Sequence, residues 1–148
     1  TKLMDDRERW QRGMVEALAY LYADEPADKM FFRWHDTGDI QDVDHIERMM
    51  EISRELPQIR FWIPTREQGI LKKWLRAGGT VPSNTVIRIS AAAVDAHVDT
   101  ASYPPGFTAS AVVSDGTQTC PAYTQDGECR QCRKCWGRTI EEITYPIH

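Results

Sequence analysis

Short apolar segments alternate with amphipathic segments along this chain, and that alternation limits the folds it can adopt. The apolar segments have the length of strands, and the segments between them repeat apolar residues at helical spacing. The predicted strands are 29–35, 59–63, 85–90, 107–113 and a short one within 140–147. The predicted helices are 4–22, 42–56 and a third that runs from Thr65 to the glycines at 78 and 79.

This order of elements predicts βαβ units and therefore an α/β fold with a small, mostly parallel sheet. The first helix precedes the sheet, and a cysteine-rich loop follows the fourth strand. A capping box formed by Thr65 and Gln68 predicts that Thr65 begins the third helix. The 148 residues, with 41% hydrophobic content, suit one domain spanning 1–148.

Charge and hydropathy narrow the choice of partners. The formal net charge of −4 disfavours nucleic acid as a partner, because non-specific binding of nucleic acid needs a basic face. No apolar run approaches the length of a transmembrane helix, and no secretory signal opens the sequence. We therefore expect a cytoplasmic protein with no membrane partner.

All four cysteines lie in one stretch, residues 120–136, with the pattern C-x8-C-x2-C-x2-C. Cysteines three residues apart can converge on one guest from a single turn. Three such cysteines in a row, completed by a remote fourth, are typical of [4Fe–4S] sites. The pattern predicts a cluster-binding loop whose ligands are Cys120, Cys129, Cys132 and Cys135.

The neighbours of these cysteines agree with a bound, negatively charged group. Arg130, Arg133 and Lys134 alternate with the cysteines and would stabilise thiolate charge. Trp136 would shield one side of the group from water, or would simply pack in the core. Zinc is the alternative cofactor, although structural zinc sites usually draw on two separated ligand pairs. Two disulfides are arithmetically possible, but a domain of this size folds without them.

Polar residues follow the predicted strands at their carboxyl ends, where open parallel sheets bind ligands. They are His35, Asp36 and Asp39 after the first strand, Arg66 after the second and Arg88 near the end of the third. The arginines could bind an anion, and the histidine could serve in acid–base chemistry. Alternatively, these residues are a partly buried histidine, turn carboxylates and a surface arginine. Arg88 lies in an apolar strand, so burial would require a partner, either a carboxylate or a bound anion.

Three motifs together resemble the gene product 88 family of mycobacteriophages and related phages. They are FRWHDTGD at residues 32–39, FWIPTR at residues 61–66, and Cys120-Pro121 followed by C-x2-C-x2-C and Trp136. The resemblance covers residues 30–148. It implies a phage origin and expression in a bacterial cytoplasm, and it implies no established reaction.

Three classes of function are compatible with this sequence. The first is a redox or electron-transfer protein that holds a [4Fe–4S] cluster and meets a host redox partner. The second is an enzyme acting on a small anionic or nucleotide substrate in a cleft beside the cluster. The third is a zinc-stabilised module that binds a host protein or nucleic acid.

Overall fold

The computed structural model describes residues 2–35 and 37–147, with side chains from Asp6 onward. Within this part of the chain, three α-helices accompany five strands. The helices are α1 (Lys2–Leu21), α2 (Val43–Glu55) and α3 (Gln68–Arg76). The strands are β1 (Phe31–Arg33), β2 (Arg60–Thr65), β3 (Thr85–Ser90), β4 (Phe107–Val113) and β5 (Glu142–Pro146). They form one sheet in the order β1-β2-β3-β4-β5, and every neighbouring pair is parallel, which confirms the predicted α/β class.

The helices cover one face of this sheet. Ile63 pairs with Ile87, and Ile87 pairs with Phe107, so every second residue of these strands points toward the same side. Helix α2 contributes Ile46 and Met49, which lie one turn apart and are fully buried. This apolar layer forms the main core. None of the described helices is long and apolar enough to cross a bilayer.

The opposite face is covered by the chain segment that carries the cysteines. Trp62, Val86 and Ile143 point to this side and pack against Cys135 in a second, smaller apolar cluster. The cover is the connection 114–141, in which two 3-10 turns, Pro121–Thr124 and Lys134–Trp136, replace a helix. The cysteine stretch is therefore the crossover between the parallel strands β4 and β5, and we call it the cysteine crossover.

Side chains at the start of helix α2 join it to helix α1. Asp42 precedes α2, and its carboxylate accepts a hydrogen bond from the backbone N–H of His45 at 2.8 Å. Arg7 of α1 donates to the carboxylates of Asp42 and Asp44. One arginine thus joins the two helices. The carboxylates that it binds lie at the N-terminus of α2, where the helix dipole favours negative charge.

The third helix begins later than the capping box predicts. Thr65 is the last residue of β2 and pairs with Ile89 of β3, so its backbone is committed to the sheet. Its hydroxyl donates to Asp39 and accepts from the backbone N–H of Glu67 at 3.1 Å. Helix α3 starts at Gln68. The prediction that Thr65 begins the helix is therefore wrong, because strand pairing holds its backbone in the sheet.

Candidate functional site

The four cysteine side chains line one small cavity between the cysteine crossover and the sheet. All four are free thiols. Their solvent exposure differs: Cys135 is buried, Cys120 and Cys132 are half-buried, and Cys129 is exposed. The enclosed space is about 10 Å³, room for about one water molecule. Among the described residues, no three His, Cys, Asp or Glu side chains already stand close enough together to hold a metal ion.

Backbone hydrogen bonds place these cysteines. The N–H of Cys120 donates to the carbonyl of Thr144 in β5 at 3.0 Å, which holds that cysteine against the last strand. The N–H of Cys132 donates to the carbonyl of Cys129 at 2.9 Å and closes a turn between the two thiols. Cys135 lies in the turn Lys134–Trp136, which packs against β2 and β3. Three cysteines of the motif are therefore set by two successive turns, as their spacing predicts.

Arg88 fixes the buried end of the cysteine crossover. Its side chain is fully buried, and burial lowers the pKa of its guanidinium. The guanidinium donates to main-chain carbonyls and does not reach Asp39. The five acceptors are the carbonyls of Ala109 at 2.8 Å, Lys134 at 3.3 Å, Cys135 at 3.4 Å, Gly137 at 3.2 Å and Ile140 at 3.2 Å. Arg88 therefore anchors the backbone around Cys135 to β4, while its role in anion binding stays a prediction.

Tyr145 contacts the most buried thiol. Its hydroxyl lies 3.6 Å from the Cys135 sulfur, within hydrogen-bond distance for sulfur. Burial raises the pKa of the Cys135 thiol, and it also raises the pKa of the Tyr145 hydroxyl. Sequence reasoning overlooked this tyrosine. The signal was the alternation along β5, which puts Ile143 and Tyr145 on the same face as Cys135.

Aromatic rings fasten the crossover to the edge of the sheet. Trp136 donates from its indole N–H to the carbonyl of Phe32 at 3.1 Å, and its ring meets Trp62 edge-on at 5.2 Å between centroids. Trp136 also lines the four-cysteine cavity, as its predicted shielding role requires. The guanidinium of Arg133 lies over the rings of Phe31 and Trp136, at 5.1 and 5.9 Å.

The strand-end residues form a separate group. Asp39 accepts hydrogen bonds from the Thr65 hydroxyl and from the backbone N–H of Arg66, the latter at 2.8 Å, so its carboxylate joins the ends of β1 and β2. The side chain of Arg66 is exposed. Asp36, the remaining acidic candidate, lies outside the described residues.

His35 pairs with a histidine that sequence reasoning missed. Its ring stands edge-on to that of His45, with centroids 5.9 Å apart, and burial lowers the pKa of both rings. The backbone of His35 has a φ of 54°, in the left-handed region. Its Nε2 is buried and has no hydrogen-bond partner among the described residues.

The strand-end group and the four-cysteine cavity do not converge. His35, Asp39, Arg66 and Arg88 are absent from the described lining of that cavity. The cysteine crossover leaves the carboxyl end of β4 as predicted, but it then runs back across the sheet to the amino end of β5. Its cysteines consequently lie over the face of the sheet and away from the strand ends.

The lowered pKa values of His35 and His45 predict that the protein loses stability in acid. A pKa held below the ordinary 6.5 means that the folded protein binds protons less readily than the unfolded chain. Stability is therefore full above pH 6.5 and falls as the pH drops through the lowered pKa values. Both rings are partly open to solvent, so we expect a loss below about 1 kcal/mol. Urea denaturation at pH 7.5 and 5.5 measures it.

Two substitutions separate the histidines from other acid-sensitive groups. His45→Gln removes one ring, and His35→Asn suits the left-handed backbone that asparagine tolerates. The charged groups facing the pair are Asp39 beside His35, with Arg7, Asp42 and Asp44 beside His45. The double variant is expected to lose less stability on acidification than the wild type. An unchanged acid loss would assign the effect to the carboxylates.

Comparison with known proteins agrees with the motifs. The family model Gene product 88 matches residues 1–138, which include α1 and all four cysteines and end before β5. A search of curated proteins and of solved structures found no match. The matched part covers strands β1 to β4, both helical crossovers and the four cysteines that line the cavity. The chain therefore belongs to the Gene product 88 family of phage proteins.

Proposed function

We propose that this protein binds a [4Fe–4S] cluster through Cys120, Cys129, Cys132 and Cys135 and serves in electron transfer. The observation that carries the proposal is the lining of one cavity by all four cysteines of the chain, each a free thiol. Thiolates are the ligands that iron–sulfur clusters use, and their spacing here matches such sites. A bound cluster would supply one-electron transfer.

The surrounding residues suit a group that carries negative charge. The buried guanidinium of Arg88 lies against the backbone of Cys135, and the hydroxyl of Tyr145 lies beside its sulfur. Hydrogen bonds and charges at this distance set the potential of a cluster. Binding of the cluster removes protons from the thiols. Because the pKa of the Cys135 thiol is raised, we expect binding to become tighter as the pH rises.

The four cysteines range from buried to exposed, which suits electron exchange between a bound cluster and a partner protein. With four cysteine ligands every iron has a protein ligand, which leaves no open position for a substrate. Cys129 is exposed, and Arg130, Arg133 and Lys134, which follow it closely in sequence, are exposed as well. A redox partner from the host with an acidic docking face would meet this edge of the crossover by charge complementarity.

Zinc is the second candidate, because cysteine thiols are also its ligands in structural sites and all four cysteines here are free. Zinc would need all four sulfur atoms about 2.3 Å from one point, so the turns carrying the cysteines would have to draw together. The bound ion would then stabilise the crossover as an interaction module.

Anaerobic purification followed by metal analysis and a visible spectrum tests both candidates. The cluster proposal expects a brown protein with about four irons per chain, either as purified or after reconstitution with iron and sulfide. A colourless protein with about one zinc per chain would replace the cluster with zinc. Failure to take up either metal under reducing conditions would refute both.

A further inference from the structure

A second cleft, of about 300 Å³, opens at the amino-terminal edge of β2 and β3. It begins beside Arg60 and Thr85, the first residues of these strands, and extends to the end of the cysteine crossover. Its described lining holds two arginines and three hydroxyl side chains but no carboxylate. These residues are Arg60, Ser83, Asn84, Thr85, Trp136, Gly137, Arg138 and Thr139.

The two arginines of this cleft have no partner within the described part of the chain. Neither guanidinium makes a hydrogen bond, an ion pair or a ring contact there. Arg54, by contrast, pairs with Glu47 and Glu51, and Arg7 pairs with Asp42. The Nε of Arg138 is also buried, so its donor has lost water without gaining an acceptor. A buried donor without an acceptor is costly, and a ligand oxygen would remove that cost.

A glycine makes room for Arg138. A Cβ placed on Gly106 would lie 2.4 Å from the Nη2 of Arg138, and the φ of Gly106 is 102°, which favours glycine. The backbone before β4 therefore accommodates the guanidinium closely. The end of the guanidinium thus packs against Gly106, which borders the cleft's Arg138 but is not itself in the described lining.

We propose that this cleft binds a small phosphate-bearing ligand, with Arg60 and Arg138 as its charged contacts. Guanidinium groups bind phosphate oxygens through paired N–H donors, and hydroxyl groups add further donors. Arg60 is exposed and Arg138 is half-buried, so one arginine meets an incoming ligand while the other already lacks water at Nε. The volume suits a small molecule with one or two phosphate groups.

This site differs from the one predicted at the carboxyl ends of the strands. There Asp39 faces the backbone of Arg66, and Arg88 is occupied by carbonyls. The described linings of the new cleft and of the four-cysteine cavity have only Trp136 in common. The proposal does not depend on whether the cysteines carry a metal.

Calorimetric titration of the purified full chain with inorganic phosphate and with pyrophosphate tests the site. We expect saturable binding that weakens about tenfold in Arg60→Gln and in Arg138→Gln, and that is lost in the double variant. Arg76→Gln, an exposed arginine at the end of α3, is the matched control and should bind like the wild type. Sodium chloride and sodium acetate at equal ionic strength should produce no saturable signal.

Three outcomes would overturn the site. They are equal binding in the double variant, equal signals from acetate, or no binding of either phosphate probe at millimolar concentration. Loss of binding in Arg66→Gln alone would show that phosphate binds at the carboxyl ends of the strands and not in this cleft. Circular dichroism checks that each variant is folded. If Arg138→Gln does not fold, Arg138→Lys replaces it, because lysine keeps the positive charge. Cys135→Ala should still bind phosphate, which separates this site from the proposed cluster.

Discussion

Replacing Cys135 with alanine is expected to lower the iron content from about four per chain to near zero after reconstitution. Cys135 is the only one of the four cysteines that is buried, and the anchored turn Lys134–Trp136 holds it against the sheet. Its loss would remove the ligand that the fold positions most firmly and would leave one iron open to water. Iron analysis and the visible spectrum of the variant measure the change.

Tyr145→Phe is the matched control for this variant. It removes the hydroxyl beside the Cys135 sulfur and keeps the ring that packs in the same cluster. The iron content should stay at the wild-type level, while the reduction potential becomes more negative, because a hydrogen bond to sulfur stabilises the reduced state. Wild-type iron in Cys135→Ala would exclude this cysteine as a ligand and would refute the proposed ligand set.

Replacing Arg88 with methionine is expected to destabilise the protein by about 3–5 kcal/mol. The variant loses the donors for five main-chain carbonyls and leaves several of them buried without a partner. For a chain of this length, such a loss lowers the melting temperature by about 10 °C. Denaturation of the metal-free protein measures the effect, so that any loss of metal does not contribute.

Arg66→Met provides the comparison for Arg88→Met. Arg66 carries the same side chain at an exposed position, and its replacement should change the free energy of unfolding by less than about 0.5 kcal/mol. If both variants unfold like the wild type, the carbonyl contacts of Arg88 contribute nothing measurable. The metal content of Arg88→Met should fall as well, because the backbone of Cys135 loses its anchor.

The fold was largely predictable because local patterns carry it. The predicted bounds 85–90 and 107–113 are those of β3 and β4, which are almost entirely buried. The boundary at Thr65 was less predictable, since its hydroxyl and backbone are used by Asp39 and by β3, both distant in sequence. Tertiary contacts of this kind override a local capping pattern.

The site was predictable only in part, for a related reason. The spacing of the cysteines predicts that their thiols face one cavity, because turns three residues long are local features. The partners of Arg88 were hidden, because every residue carries a carbonyl and no side-chain pattern marks the five that it contacts. Arg60 and Arg138 were hidden as well, because they are far apart in sequence and belong to no motif.

The cysteine crossover also decides whether the sheet keeps a protected edge. Helices α2 and α3 deliver β2 and β3 to the sheet, whereas β5 reaches its place beside β4 through the crossover. If the crossover detached, the seven residues of β4 would present unpaired backbone groups on which another chain could add a strand. The opposite edge strand, β1, has only three residues and offers a much poorer template. An ordered cysteine crossover keeps β5 beside β4 and would therefore protect the protein from self-association during its synthesis.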